Sequence, residues 1–110
     1  MRFGQTRTMP ETQLSAPPAV TLTIAGSEAT GGAGAQVDLK TFQELGVYGI
    51  AALTCIVSFD PKNEWQHRFV PVDQQVIADQ LEAIQACYAL GTVKLGMLGT
   101  PPRSTPWPLP

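Results

Sequence analysis

The spacing of apolar and polar residues predicts a strand, a helix, a strand, a helix and a strand, in that order. Val20-Thr-Leu-Thr-Ile24 is β-branched and reads as the first strand, running into a glycine-dense turn that opens into a helix near Ala33 or Gly34. Along that helix Ala35, Leu39, Phe42 and Leu45 repeat as one apolar stripe, Gln36, Lys40, Gln43 and Glu44 lie away from it, and Gly46 reads as the C-terminal cap. Ile50 to Phe59 is a continuous apolar run, the pattern of a strand covered by helices on both faces and parallel to the first through a right-handed crossover. Asp60-Pro61 stops it, and residues 60–72 read as a polar loop carrying Trp65 and the single histidine, His67. Asp73 is then an N-cap for a helix with Ile77, Leu81, Ile84 and Tyr88 on one face, Asp79 and Glu82 on a solvated one, and Gly91 at its end. Thr92 to Leu98 supplies the last strand, with Met97 an ordinary core residue by pattern.

Outside residues 19–99 the pattern stops. Residues 1–18 mix Thr, Gln, Ser and Pro without periodicity and read as a disordered leader in which Met9 is an alternative start. Arg2 and Arg7 alone make a poor targeting signal. Residues 100–110 hold five prolines in eleven positions, which removes backbone donors and forbids a helix or central strand.

Composition narrows the classes. The 110 residues suffice for one domain, and 44% apolar residues for a modest core. A net charge of −2 provides no basic footprint for nucleic acid. No apolar run approaches the roughly 18–20 residues of a membrane-spanning helix, so a membrane partner is not expected. Cys55 and Cys87 fall in a strand and a helix and read as free thiols of a cytoplasmic protein, with a disulfide as the alternative.

Two features carry candidate chemistry. Gly26, Gly31, Gly32 and Gly34 lie where a strand feeds a helix, so the turn is either a cradle of backbone amides for a polar or anionic small molecule or simply a tight connection. It has neither the Gly-Lys-Ser/Thr ending of a Walker loop nor the GxGxxG spacing. Asp38 projects within the apolar stripe between Phe42 and Leu45. A carboxylate aimed that way is either wetted at the stripe's edge or bound to something, because burying it unpaired costs several kcal/mol.

Thr23-Ile-Ala-Gly-Ser27, Gly31-Gly-Ala-Gly34, Asp38-Leu-Lys-Thr-Phe42, Leu45-Gly-Val-Tyr-Gly49 and Lys94-Leu-Gly-Met-Leu-Gly99, in that order, resemble the hydroxymethylpyrimidine and pyridoxal kinases of the ribokinase-like superfamily. The resemblance implies an α/β fold, the N-terminal βαβαβ portion of a three-layer sandwich with a parallel sheet, and an intact enzyme that moves the γ-phosphoryl of ATP, with Mg2+, onto the hydroxymethyl group of a heteroaromatic ring. It implies that Asp38 bonds the ring's polar edge, with Ser27 and the amides around Gly26, Gly31, Gly32 and Ala33 fixing its other groups. Phe59 stands where the pyrimidine kinases have a glutamine, and Asp60-Pro-Lys-Asn-Glu-Trp-Gln-His67 is similar to the pyridoxal-type loop that sets a histidine beside a pyridine ring. Phe59, His67 and Met97 are thereby implied to wall the ring, with vitamin B6 as the expected substrate and the thiamine-pathway pyrimidine as the alternative.

The resemblance ends near Thr100, whereas the kinases continue into further helices and strands bearing the deprotonating residue, the glycine-rich anion hole and most of the nucleotide site. The expectation is therefore a truncated or frameshifted frame, no catalytic residue in this chain and no ATP turnover by it alone. A noncatalytic fragment that binds ligand weakly is the reading from another class. Intact kinases of this type are expected to be homodimers.

Overall fold

A computed structural model describes residues 19–99; the expected leader and proline-rich tail lie outside the described residues. The elements are β1 (Val20–Glu28), α1 (Gly34–Glu44), β2 (Tyr48–Asp60), β3 (Gln66–Pro71), α2 (Gln74–Cys87) and β4 (Thr92–Leu95). They form one four-stranded sheet in the order β3-β2-β1-β4. β1 pairs in parallel with β2 on one side and β4 on the other, which is the expected βαβαβ core.

α1 packs on β1 and β2, and α2 packs on β2. Gly49 permits the first of these contacts: a Cβ there would stand 2.8 Å from Phe42 Cδ2 and 3.1 Å from Leu39 Cδ2. The core is built from Leu22, Ala25, Ala35, Ala52, Cys55, Val57 and Ile77. Cys55 is buried and Cys87 exposed, both as free thiols. Asp73 caps α2 by accepting a hydrogen bond from Gln75 N–H at 3.1 Å, as its position before the periodic run predicted.

Several expectations are corrected. Residues 60–72 are not simply a loop: β2 runs on to Asp60 and folds back through a short turn into β3, which pairs antiparallel with Phe59 opposite His67 and Asp60 opposite Gln66. Asp60 makes this turn, its carboxylate accepting from Lys62 N–H at 3.0 Å and pairing with Arg68, while Trp65 N–H closes onto the Asp60 carbonyl at 2.8 Å. The sheet is consequently mixed, with one antiparallel edge strand. Ala52, Thr54 and Cys55 are buried as a covered strand requires, but Ile56 and Ser58 are exposed. Leu45 belongs to no buried stripe; it sits past the last turn of α1, 72% exposed. α2 ends at Cys87, before Gly91, whose N–H instead bonds the Val20 carbonyl at 2.9 Å. β4 stops at Leu95 rather than Leu98, although Gly96 N–H still bonds the Ile24 carbonyl at 2.8 Å.

One side chain completes a strand. Beyond the reach of β3, Leu53 presents its N–H and C=O at the β2 edge, and the Gln80 amide accepts from one and donates to the other, both at 2.9 Å. Backbone groups that would lack partners are thus satisfied from α2.

Candidate functional site

The chain leaves β1 for β2 on one side and returns as β4 on the other, so strand order reverses at β1. Open α/β sheets bind ligands at such a point, beyond the carboxyl ends of their strands. A cavity of about 270 Å3 lies there. Gly26 and Glu28 from β1 and Ala33 and Gly34 at the start of α1 form one side. Val57 and Phe59 from β2 with His67 from β3 form the second, and Lys94, Gly96 and Met97 form the third.

The hairpin brings His67 in. Cross-strand pairing sets its ring against Phe59, centroids 4.6 Å apart and nearly perpendicular, an edge-to-face contact. Met97 is held from both ends: its carbonyl accepts from the buried Thr54 hydroxyl, and its sulfur lies 3.8 Å from Cys55 Sγ. The wall is therefore an aromatic pair facing a thioether, a surface suited to a flat ring.

The glycine turn is folded around an acid that sequence reasoning missed. Glu28 is buried, 4% exposed. Its carboxylate accepts from Thr30 N–H at 2.7 Å, from the Thr30 hydroxyl and from Gly32 N–H at 3.1 Å, while its backbone carbonyl takes Gly31 N–H at 3.1 Å. The Thr30 hydroxyl bond, then the Thr30 amide, hold the Glu28 carboxyl below its ordinary value against the opposing effect of burial. The amides of Gly31 and Gly32 are thus spent on Glu28, and neither glycine lines the cavity, in contrast to the expected open cradle. The available signal was an acid followed by Thr and paired glycines, able to form a local turn with its own side chain.

Gly34 sets how closely this turn lies on the sheet. It has φ of +76°, and a Cβ there would fall 2.4 Å from the Gly26 carbonyl oxygen. Ser27 does not line the cavity either; its hydroxyl accepts from Gln36 Nε2 at 2.7 Å, and Gln36 Oε1 accepts from Glu28 N–H at 3.1 Å. Gln36, expected on the outer face, thus ties α1 to the end of β1.

Asp38 has found its partners inside the protein. Its carboxylate accepts from the buried Thr23 hydroxyl at 2.7 Å and from Lys94 Nζ at 2.8 and 2.9 Å. Burial pushes the Asp38 carboxyl up, but the Lys94 and Thr23 hydrogen bonds and the Lys94 charge outweigh it and hold the group below its usual range. Asp38 does not line the cavity, whereas Lys94 does. Of the nine residues expected at the site, Gly26, Ala33, Phe59, His67 and Met97 converge on the cavity, while Ser27, Gly31, Gly32 and Asp38 stand behind it. Glu28 and Lys94 are the polar wall residues that the pattern did not single out.

Among the described residues no three His, Cys, Asp or Glu side chains gather as a metal site. No described helix is long and apolar enough to cross a membrane.

The sequence profile of the phosphomethylpyrimidine kinase family matches residues 28–104. The chain is 53% identical over 79 residues to the pyridoxine kinase of Bacillus subtilis, covering 72% of this chain and 29% of that protein. It is 42% identical over 78 residues to the hydroxymethylpyrimidine/phosphomethylpyrimidine kinase of Haemophilus influenzae, covering 71% of this chain and 28% of that protein. It superposes on the Staphylococcus aureus pyridoxal kinase in complex with AMP-PCP and pyridoxal with a TM-score of 0.70 and 48% identity, covering 77% of this chain and 31% of that one. The chain therefore spans less than a third of the length of these relatives.

Proposed function

The chain belongs to the phosphomethylpyrimidine kinase family, and on that premise we propose that it supplies the acceptor side of a kinase that phosphorylates the hydroxymethyl group of pyridoxal or pyridoxine. The observation that carries this is the Phe59–His67 pair in the cavity wall, built by a hairpin of the Asp-x-x-x-x-Trp-x-His kind. Phe59 and Met97 take the faces of the ring and His67 its edge. Gly26 and Ala33 bring backbone close to the ring's substituents. Gly31, Gly32 and Ser27 serve by shaping the turn, and Asp38 by anchoring Lys94. The greater identity to a pyridoxine kinase, 53% against 42% for a pyrimidine kinase, points the same way.

When bound, ATP with its Mg2+ supplies the phosphoryl group and neutralises charge as it transfers. The role assigned to the described residues is to bind and orient the acceptor and shield it from water. The purified chain alone is expected to show no ATP turnover, and measurable turnover would overturn that assignment.

A pyrimidine substrate is the second reading, favoured by the family profile itself. Calorimetric titration of the chain with pyridoxal and with hydroxymethylpyrimidine separates the two. Pyridoxal is expected to bind about tenfold tighter or more, the equivalent of one good charge-assisted hydrogen bond; the reverse order would replace the first reading by the second.

A further inference from the structure

The Met97 side of the cavity is set from two strands away, by a break in the pairing of β1 with β2. Ala25 pairs with Leu53 but Ser27 pairs with Ile56, so two steps along β1 are matched by three along β2. This is a β-bulge, which puts an extra residue into one strand and re-aims its side chains. The extra residue falls within Thr54-Cys55, and both of these neighbours reach one target. The Thr54 hydroxyl donates to the Met97 carbonyl, and Cys55 Sγ meets the Met97 sulfur at 3.8 Å. On a regular strand successive side chains would point to opposite faces. β1 lies between β2 and β4 and is bare where the two side chains cross it: a Cβ on Gly26 would fall 2.6 Å from Cys55 Sγ. The bulge is fixed from its other edge by Val72 N–H on the Thr54 carbonyl at 2.9 Å and by Gln80 on Leu53. Met97 itself comes just after the bond from Gly96 N–H to the Ile24 carbonyl, where the pairing of β4 with β1 ends.

We propose that Thr54 is a positioning residue for the acceptor site: its buried hydroxyl, aimed by the bulge, holds the Met97 backbone so that the thioether stands at a fixed distance from the Phe59–His67 wall and sets the width of the slot for a planar ring. This rests on the acceptor-side reading above and holds for a pyridine or a pyrimidine alike. Thr54 lies outside the sequence blocks that carry the family resemblance. A methionine side chain has three rotatable bonds and fills whatever gap it is given, so on a free segment it makes a loose wall. Anchoring its carbonyl through Thr54, with Cys55 against its sulfur, confines it at both ends. Thr54 is 1% exposed, so valine in its place would fill the same space, admit no water and leave the Met97 carbonyl without that donor.

The test is calorimetric titration of the 110-residue chain with pyridoxine and with hydroxymethylpyrimidine, joined to NMR of the same chain with carbon-13 in its methionine methyls. In the unaltered chain the bound ring should move the Met97 methyl resonance upfield, as contact with an aromatic face does. Thr54→Val should weaken the tighter ligand about tenfold, the order of one lost hydrogen bond, and cut that displacement to about half or less. Thr54→Ser keeps the hydroxyl and should stay within about threefold of the unaltered affinity with the displacement retained. A merely structural role would lower stability in urea without altering the methyl shift of the bound state. An unchanged displacement or an unchanged affinity in Thr54→Val therefore overturns the proposal. So does a Thr54→Ser chain that behaves like Thr54→Val, or binding by the unaltered chain with no displacement at all. In each of these cases the unaltered chain still binds a ring, and the acceptor-side reading survives. If the unaltered chain binds neither ring, that reading fails and the proposal falls with it.

A second measurement, on the unaltered chain, serves even if Thr54→Val does not fold. The Thr54 hydroxyl proton, buried and held by the Met97 carbonyl, should be visible by NMR and should exchange with solvent about threefold more slowly, or slower still, once the ring is bound. Exchange that the ligand leaves unchanged overturns the proposal.

Discussion

Glu28 and Asp38 are both carboxylates drawn out of water near one cavity, yet they are satisfied in opposite ways. Glu28 bonds to groups two and four residues ahead of it, so its partners arrive with the turn. Asp38 bonds to residues 15 and 56 positions away and ties α1 to β1 and β4 at once. A local acid shapes a loop, and a distant one holds a tertiary arrangement. Their losses should therefore be felt differently.

Gly34 lies between them, and altering it should disturb both. Gly34→Val places a Cβ 2.4 Å from the Gly26 carbonyl at a φ of +76° and is expected to cost about 3 kcal/mol or more in urea unfolding, the upper range for a strained backbone site. Asp38→Ala comes next, at about 1–3 kcal/mol: the buried Thr23 hydroxyl loses its acceptor, while half-exposed Lys94 recovers water and limits the loss. If it proves no worse than a surface change, the distant acid does not hold α1 to the sheet.

Acid should remove both contributions. Each carboxyl sits below its ordinary value, 3.8 for Asp38 and 4.5 for Glu28, so each stabilises the fold above that value and the contribution disappears as pH falls through the lower, folded-state value. Stability from these groups should be level above about pH 5 and decline below 4.5. The Thr30 and Gly32 amide resonances should shift with the Glu28 titration, and a midpoint at or above 4.5 would contradict the described bonding.

Glu28→Gln keeps an acceptor and loses the charge. Its expected signature is local, faster hydrogen exchange at Thr30 and Gly32 with a smaller shift in melting temperature than Asp38→Ala. Leu45→Gln should do least, within about 0.5 kcal/mol, since Leu45 is 72% exposed.

The same local-against-distant division explains what could be read from the chain. β1, α1, the Asp73 cap and the parallel pairing follow from periodicity and punctuation within a few residues. β3 did not, because Gln66-His67-Arg68 has no apolar alternation; its pairing comes from the Asp60 turn and the neighbouring edge of β2. Asp38 was conspicuous as an acid in an apolar stripe, but its partner Lys94 lies on a strand 56 positions later, beyond any window of pattern. Glu28 was overlooked because a turn has no period to violate. Leu45 misled for the converse reason: the stripe continues on paper after the helix has ended. At the site, the aromatic and thioether wall was legible through resemblance, while the exchange of Asp38 for Lys94 at the cavity surface required the fold.

The Gln80 bridge to Leu53 has a consequence for association. An unoccupied strand margin is a template on which another polypeptide can crystallise its own backbone. By holding the Leu53 N–H and C=O with a carboxamide, α2 denies those two groups to any other chain. Gln80→Ala would return them to solvent.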